Sequence, residues 1–271
     1  MRRVLLHLGL HKTGTTAAQS FLYENRELIW PNFSLMLPYK TRKSGLSRAA
    51  THHSVYRLDS TLAEFGSLLR EVLDRLDFGT RRGLILSEEN FAGLRPSRNL
   101  AEGYAAAPDL AATLISMIRR RLIGEELDIT VYLSLRQRHS WMRSLWSHDL
   151  QRTRIVQDFD EFCAKLDHLP SFDATVDRFR ENLPSVSVRT AWLEDLQNRS
   201  FGPGTPFADF LHLPRDKASR LVPPAKANQS LPDSVLDELL ALNRGAMDEA
   251  TLIDTKKAIV AGARKELIGH T

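Results

Sequence analysis

The sequence predicts an α/β fold, a three-layer arrangement in which a parallel sheet of about five strands is flanked by helices. Two patterns predict it. Short apolar runs suited to buried parallel strands recur along the chain and alternate with longer stretches of helical periodicity. The first of these strands also passes through a glycine-bearing turn straight into a helix, and open parallel sheets gather ligands at such strand ends. With 271 residues, 42% of them hydrophobic, the chain can bury a large core, and a single domain over residues 1–271 is expected.

Bulk properties narrow the function. A net charge of +4, from 37 basic and 33 acidic residues, suits an anionic ligand but is too balanced for wholesale nucleic-acid binding. The single cysteine, Cys163, excludes an intrachain disulfide framework, and with no apolar stretch of membrane-spanning length the expectation is a cytoplasmic chain without membrane insertion. No His-Glu-x-x-His occurs, and the adjacent His52 and His53 point in different directions on any regular element, so no metal site is expected. No Gly-x-Ser-x-Gly elbow is present for a serine hydrolase.

In chain order, Val4, Leu5, Leu6 and Leu8 form the first strand, and Ala18, Phe21, Leu22 and Ile29 recur at helical spacing after the turn. Phe33–Leu37 reads as a second strand ending at Pro38. Residues 40–60 carry Lys40, Arg42, Lys43, Arg48 and Arg57 against the lone acid Asp59, which reads as a basic loop, either solvated or closing over an anionic cofactor or acceptor. Thr61 to Glu64 has capping-box form and opens a helix through Leu76. Gly83–Ser87 is a buried strand that delivers Glu88, Glu89 and Asn90 past its carboxyl end. A helix over Ala105–Leu122 comes next, with Arg119, Arg120 and Arg121 complementing its C-terminus. Ile129–Leu135 is the clearest buried strand; it ends in Arg136, and His139–Arg152 continues as helix. Two helical patterns split by Pro170, a strand over Val186–Thr190, a helix N-capped by Ser230, and a last helix over Asp248–Ile268 complete the chain.

The turn after the first strand carries the chemistry. Gly9, Gly14, Thr15 and Thr16 nearly match P-loop spacing, but Thr15 stands where the P-loop lysine belongs and the lysine comes earlier, as Lys12. The P-loop Lys and Ser/Thr serve a triphosphate and its magnesium ion, so moving the cation into the loop suggests that a different group is transferred.

The segment His11, Lys12, Thr13, Gly14, Thr15, Thr16 resembles the 5′-phosphosulfate loop of sulfotransferases that use 3′-phosphoadenosine 5′-phosphosulfate (PAPS), notably the bacterial and carbohydrate-type members. A second motif is similar as well: Arg136 ends a strand and Ser144 stands eight residues later on a helix, as in the family's 3′-phosphate motif, departing at Gln137 and Arg138 where many members carry an acidic residue and proline. Ser87-Glu88-Glu89 resembles a strand-end segment of related chains and Trp192–Leu196 the segment after a late strand, and Lys226 precedes an Asn-x-Ser-Leu turn similar to turns in those chains, whose nearby basic side chains approach the nucleotide.

The resemblance implies a P-loop-related fold and transfer of a sulfuryl group from PAPS to a hydroxyl or amine of a small-molecule or carbohydrate acceptor, with PAP as product. Backbone amides of Thr13–Thr16 would hold the 5′ group, Lys12 would neutralise the leaving oxygen, and Arg136 and Ser144 would clasp the 3′-phosphate. In-line attack needs one base, for which Glu89 and His53 compete. Two alternatives stay open: a P-loop-type kinase or hydrolase with a degenerate loop, and a non-catalytic nucleotide-binding protein.

Overall fold

The computed structural model describes residues 1–98, 103–224 and 230–269. Its first half runs β1 (Arg2–His7), α1 (Thr15–Glu24), α2 (Arg26–Ile29), β2 (Phe33–Met36), α3 (Pro38–Lys43), α4 (Leu46–Tyr56), α5 (Asp59–Asp74), β3 (Gly83–Ser87) and α6 (Ala107–Arg121). The second half runs β4 (Leu127–Leu135), α7 (Arg138–Arg152), α8 (Phe159–Leu166), α9 (Phe172–Asn182), β5 (Ser187–Trp192) and α10 (Leu193–Leu196). It ends with α11 (Thr205–Leu211), α12 (Arg215–Ala218), α13 (Asp233–Arg244) and α14 (Glu249–Gly269).

The five strands form one all-parallel sheet in the order β2-β3-β1-β4-β5, and helices flank it in a three-layer, P-loop-like architecture. The chain leaves β1 toward β2 and leaves β4 toward β5, so a switch point opens at the carboxyl ends of β1 and β4. Leu5 lies beside Ile85 on β3 and Thr130 on β4. Leu5, Ile85 and Tyr132 pack with Phe21 and Leu22 of α1 and with Phe207 and Phe210 of α11, while the opposite sheet face buries Val4, Leu6, Leu84, Leu86, Val131 and Leu133. Right-handed crossovers require that division, because β1 to β2 moves one way along the sheet and every later connection the other.

The chain packs as two compact units. The sheet and most helices make the first; α7, α8, α13 and α14 make the second. The second unit holds itself together without strands. Trp146 Nε1 donates to the Gln157 carbonyl at 3.0 Å, and the buried Lys256 donates to Asn243 Oδ1 at 2.9 Å and the Thr153 carbonyl at 3.0 Å. Cys163 lies on α8 and its thiol pKa is pushed up, chiefly by burial.

Three local expectations are corrected. Residues 40–60 are not a loop but mainly α3 and α4, with Pro38 in the first turn of α3 and Gly45, at φ +79°, joining the two helices. Helix α5 starts at Asp59, so Thr61 is inside it and returns its hydroxyl to the Leu58 carbonyl at 2.7 Å instead of capping. Helix α13 starts at Asp233 after Pro232, so Ser230 is not its cap, because the fixed φ of proline already sets the helical entrance.

Candidate functional site

The loop from Leu8 to Gly14 is bent by two residues in the left-handed region, Lys12 at φ +67° and Gly14 at φ +92°. Gly14 needs no Cβ there, but Lys12 holds a conformation that costs a side-chain-bearing residue about 1–2 kcal/mol. Gly9 is required by space: a Cβ on it would stand 2.0 Å from Thr15 Cγ2 and 2.8 Å from the His7 ring. Beyond the loop no side chain caps α1, a ten-residue helix. Its first-turn N–H groups and the positive end of its dipole therefore meet at the sheet's carboxyl edge, a seat for an oxyanion.

A buried relay fixes the loop from below. His7, Ser87 and Ser134 sit near the carboxyl ends of three adjacent strands, and Thr13 sits above them in the loop; all four are buried. The Thr13 hydroxyl donates to the Leu10 carbonyl at 2.5 Å and also lies 2.7 Å from Ser134 Oγ. A hydroxyl has one proton, so Ser134 must donate to Thr13. Ser134 Oγ then accepts from His7 Nε2 at 3.1 Å, and His7 Nδ1 accepts from Ser87 Oγ at 2.7 Å. The imidazole is thus neutral with its proton on Nε2, and burial depresses its pKa to about 3. Sequence reasoning missed this relay, although a polar residue near the end of each of three buried apolar strands was its signal.

A second network grips the loop from the side. The buried Glu88 carboxylate accepts from Ser47 Oγ at 2.8 Å, Asn90 Nδ2 at 2.9 Å, the Asn90 amide at 3.1 Å, and Thr41 Oγ1. Burial, and then the neighbouring Glu89, raise its pKa against those donors. Asn90 is also hydrogen-bonded to the His11 side chain. Tyr104 lies over the His11 ring, its Oη accepting the His11 amide at 2.9 Å and standing 3.4 Å from Nδ1. Burial holds the His11 pKa down to about 4; Glu89 opposes that, while Arg95 and Lys12 reinforce it. His11 is therefore a neutral clamp between the loop and the end of β3.

Glu89 opens the short turn Glu89–Ala92 after β3. It accepts from Gln19 Nε2 of α1 at 2.8 Å and Arg42 of α3 at 3.1 Å, so both helices orient it. Arg136, at the carboxyl end of β4, donates from Nη1 to the Lys12 carbonyl at 3.1 Å. Beside it Glu194 accepts the Gln137 amide at 3.2 Å and offsets the burial that lowers the Arg136 pKa.

The structure thus gathers His11, Lys12, Thr13, Gly14, Thr15, Glu89 and Arg136 along one sheet edge, with Thr16 exposed in the first turn of α1. The remaining predicted residues are His53, Ser144 and Lys226. His53 is 3% exposed inside α4, where its Nδ1 pairs with Thr61 Oγ1 at 2.9 Å and burial lowers its pKa. Ser144 belongs to α7 of the second unit, and Lys226 lies outside the described residues. Among the described residues no group of three His, Cys, Asp or Glu is arranged to hold a metal, and no helix is long and apolar enough to cross a membrane. No protein-family model, curated protein or solved structure matches the chain.

Proposed function

We propose that the chain is a PAPS-dependent sulfotransferase. One observation carries the reading: the hydrogen bond from Arg136 to the Lys12 carbonyl joins the two motifs of the resemblance across 124 residues of sequence. The residues fit an anionic nucleotide. An uncapped helix N-terminus, Lys12 and the Arg136 guanidinium lie along one edge, and Gly9 leaves the space beside Thr15 and His7 free of a side chain.

In this reading PAPS supplies the sulfuryl group: a bond forms from the acceptor oxygen or nitrogen to sulfur while the bond from sulfur to the PAP phosphate oxygen breaks. Amides of Thr13–Thr16 bind the 5′ group, and Lys12 neutralises the charge that grows on the departing oxygen. Arg136 binds the 3′-phosphate. The acceptor's proton passes to a carboxylate oxygen of Glu89, which Gln19 and Arg42 orient. His53 is shielded from solvent and does not take this role. Ser144 and Lys226 enter through the resemblance alone.

The test compares thermal stabilisation by PAP without metal against Mg-ADP. PAP at 100 times its dissociation constant adds about 2.7 kcal/mol. Stabilisation by Mg-ADP and none by PAP overturns the proposal in favour of an ordinary P-loop enzyme.

A further inference from the structure

We propose that the seam between α5 and α6 is a second binding site, one that takes a linear alkyl carboxylate, the chemistry of a medium-chain fatty acid. The proposal is independent of the sulfotransferase reading, since none of the residues lining this seam belongs to the loop or to the networks that hold it. A cavity of about 440 Å³ opens there, within the range of about 300–1,000 Å³ common to small-molecule sites. Leu62, Ala63, Gly66 and Arg70 line it from one face of α5, and Thr113, Met117 and Arg120 from one face of α6.

Three features select the ligand. The first is charge. Arg70 and Arg120 come from different helices and are exposed, and among the described residues neither makes a hydrogen bond or ion pair. The neighbours of Arg120 in the arginine run are engaged: Arg119 donates to Ser185 Oγ at 3.2 Å, and Arg121 donates to the Leu73 carbonyl at 3.3 Å and stands 3.4 Å from Asp74. The two guanidinium groups left at the cavity suit a carboxylate. The second is Gly66, which lies inside a 16-residue helix, where glycine is weaker than alanine. No steric need explains it, because a Cβ there would stand 3.5 Å from Thr113 Cγ2, an ordinary van der Waals contact. Its missing side chain instead keeps the cavity open between the apolar Leu62, Ala63 and Met117. The third is Asp59, which lines the cavity eleven residues before Arg70, about 16 Å along the helix axis. It repels a carboxylate from that end, so an alkyl chain lies along the seam with its head at the arginines.

Calorimetric titration of the full chain with octanoate, butanoate and 1-octanol tests this. Octanoate should bind at least about tenfold more tightly than either, since butanoate lacks most of the chain and 1-octanol lacks the charge. Arg70→Gln and Arg120→Gln should each weaken octanoate about tenfold and leave the weaker 1-octanol binding unchanged. Gly66→Ala should unfold at a higher temperature than the parent protein and yet bind octanoate at least about threefold less tightly. Absence of saturable octanoate binding, or unchanged affinity in both arginine variants, overturns the site. A less stable Gly66→Ala protein overturns it too, because the glycine would then serve helix packing. Equal affinity for octanoate and 1-octanol overturns the anionic ligand class.

Discussion

Lys12 combines two properties that substitution can separate: a side chain proposed for charge neutralisation and a backbone at φ +67°. Lys12→Ala and Lys12→Gly both remove the ammonium with every contact it makes, so the difference between them isolates the backbone. In the left-handed region alanine costs about 1–2 kcal/mol more than glycine. The greater freedom of glycine in the unfolded chain returns about 0.4–1 kcal/mol of that. Lys12→Gly should therefore be more stable than Lys12→Ala by about 0.5–1 kcal/mol, or ~1–3 °C in Tm for a chain of this size. Sulfuryl transfer should fall by about 10²–10³ in both variants. The assay pairs thermal unfolding with turnover of the purified proteins. A glycine variant less stable than the alanine one refutes the strain assignment, and undiminished turnover in either refutes the role of the amine.

Gly9→Ala should cost about 1–3 kcal/mol in urea unfolding, because its Cβ meets Thr15 Cγ2 at 2.0 Å; adding Thr15→Ser should recover part of that loss, and a purely additive double mutant contradicts the clash. Both loop-facing histidines have folded pKa values below the ordinary 6.5, His7 at about 3 and His11 at about 4, so their stabilisation is complete above pH 6.5 and is lost as pH falls toward those values. Each should contribute a slope of about 1.4 kcal/mol per pH unit in that window, and His7→Gln should remove one share; an unchanged slope across urea titrations at pH 5, 6 and 7 counts against a neutral His7. Arg136→Ala should weaken PAP by about 10- to 150-fold. AMP should lose less, only the share due to freeing the Lys12 carbonyl, and equal losses in calorimetry mean that Arg136 does not read the 3′-phosphate.

Sequence periodicity located all five strands within a few residues, because each is an apolar run bounded by turns or charges, and Gly83–Ser87 matches its strand to the residue. The turn from β1 into α1 was legible for a related reason: an apolar run, two glycines and a helical period follow directly on one another. Order within the sheet was not legible, since an apolar run does not name its neighbours; pairing placed β1 between β3 and β4 and so brought Glu89 and Arg136 to the same edge as Lys12. Helix α3 was hidden because basic residues dominate its short run, and α4 because the spacing of Leu46, Ala49 and Ala50 that buries it is short and modest. The same tertiary packing decided the two histidine environments. Sequence offered His53 as a candidate base and passed over His7, yet packing buries the first against Thr61, and the register of three strands builds the second into the support of the loop. Hydrogen-bond partners 80 or more residues apart are set by register, which local sequence does not encode.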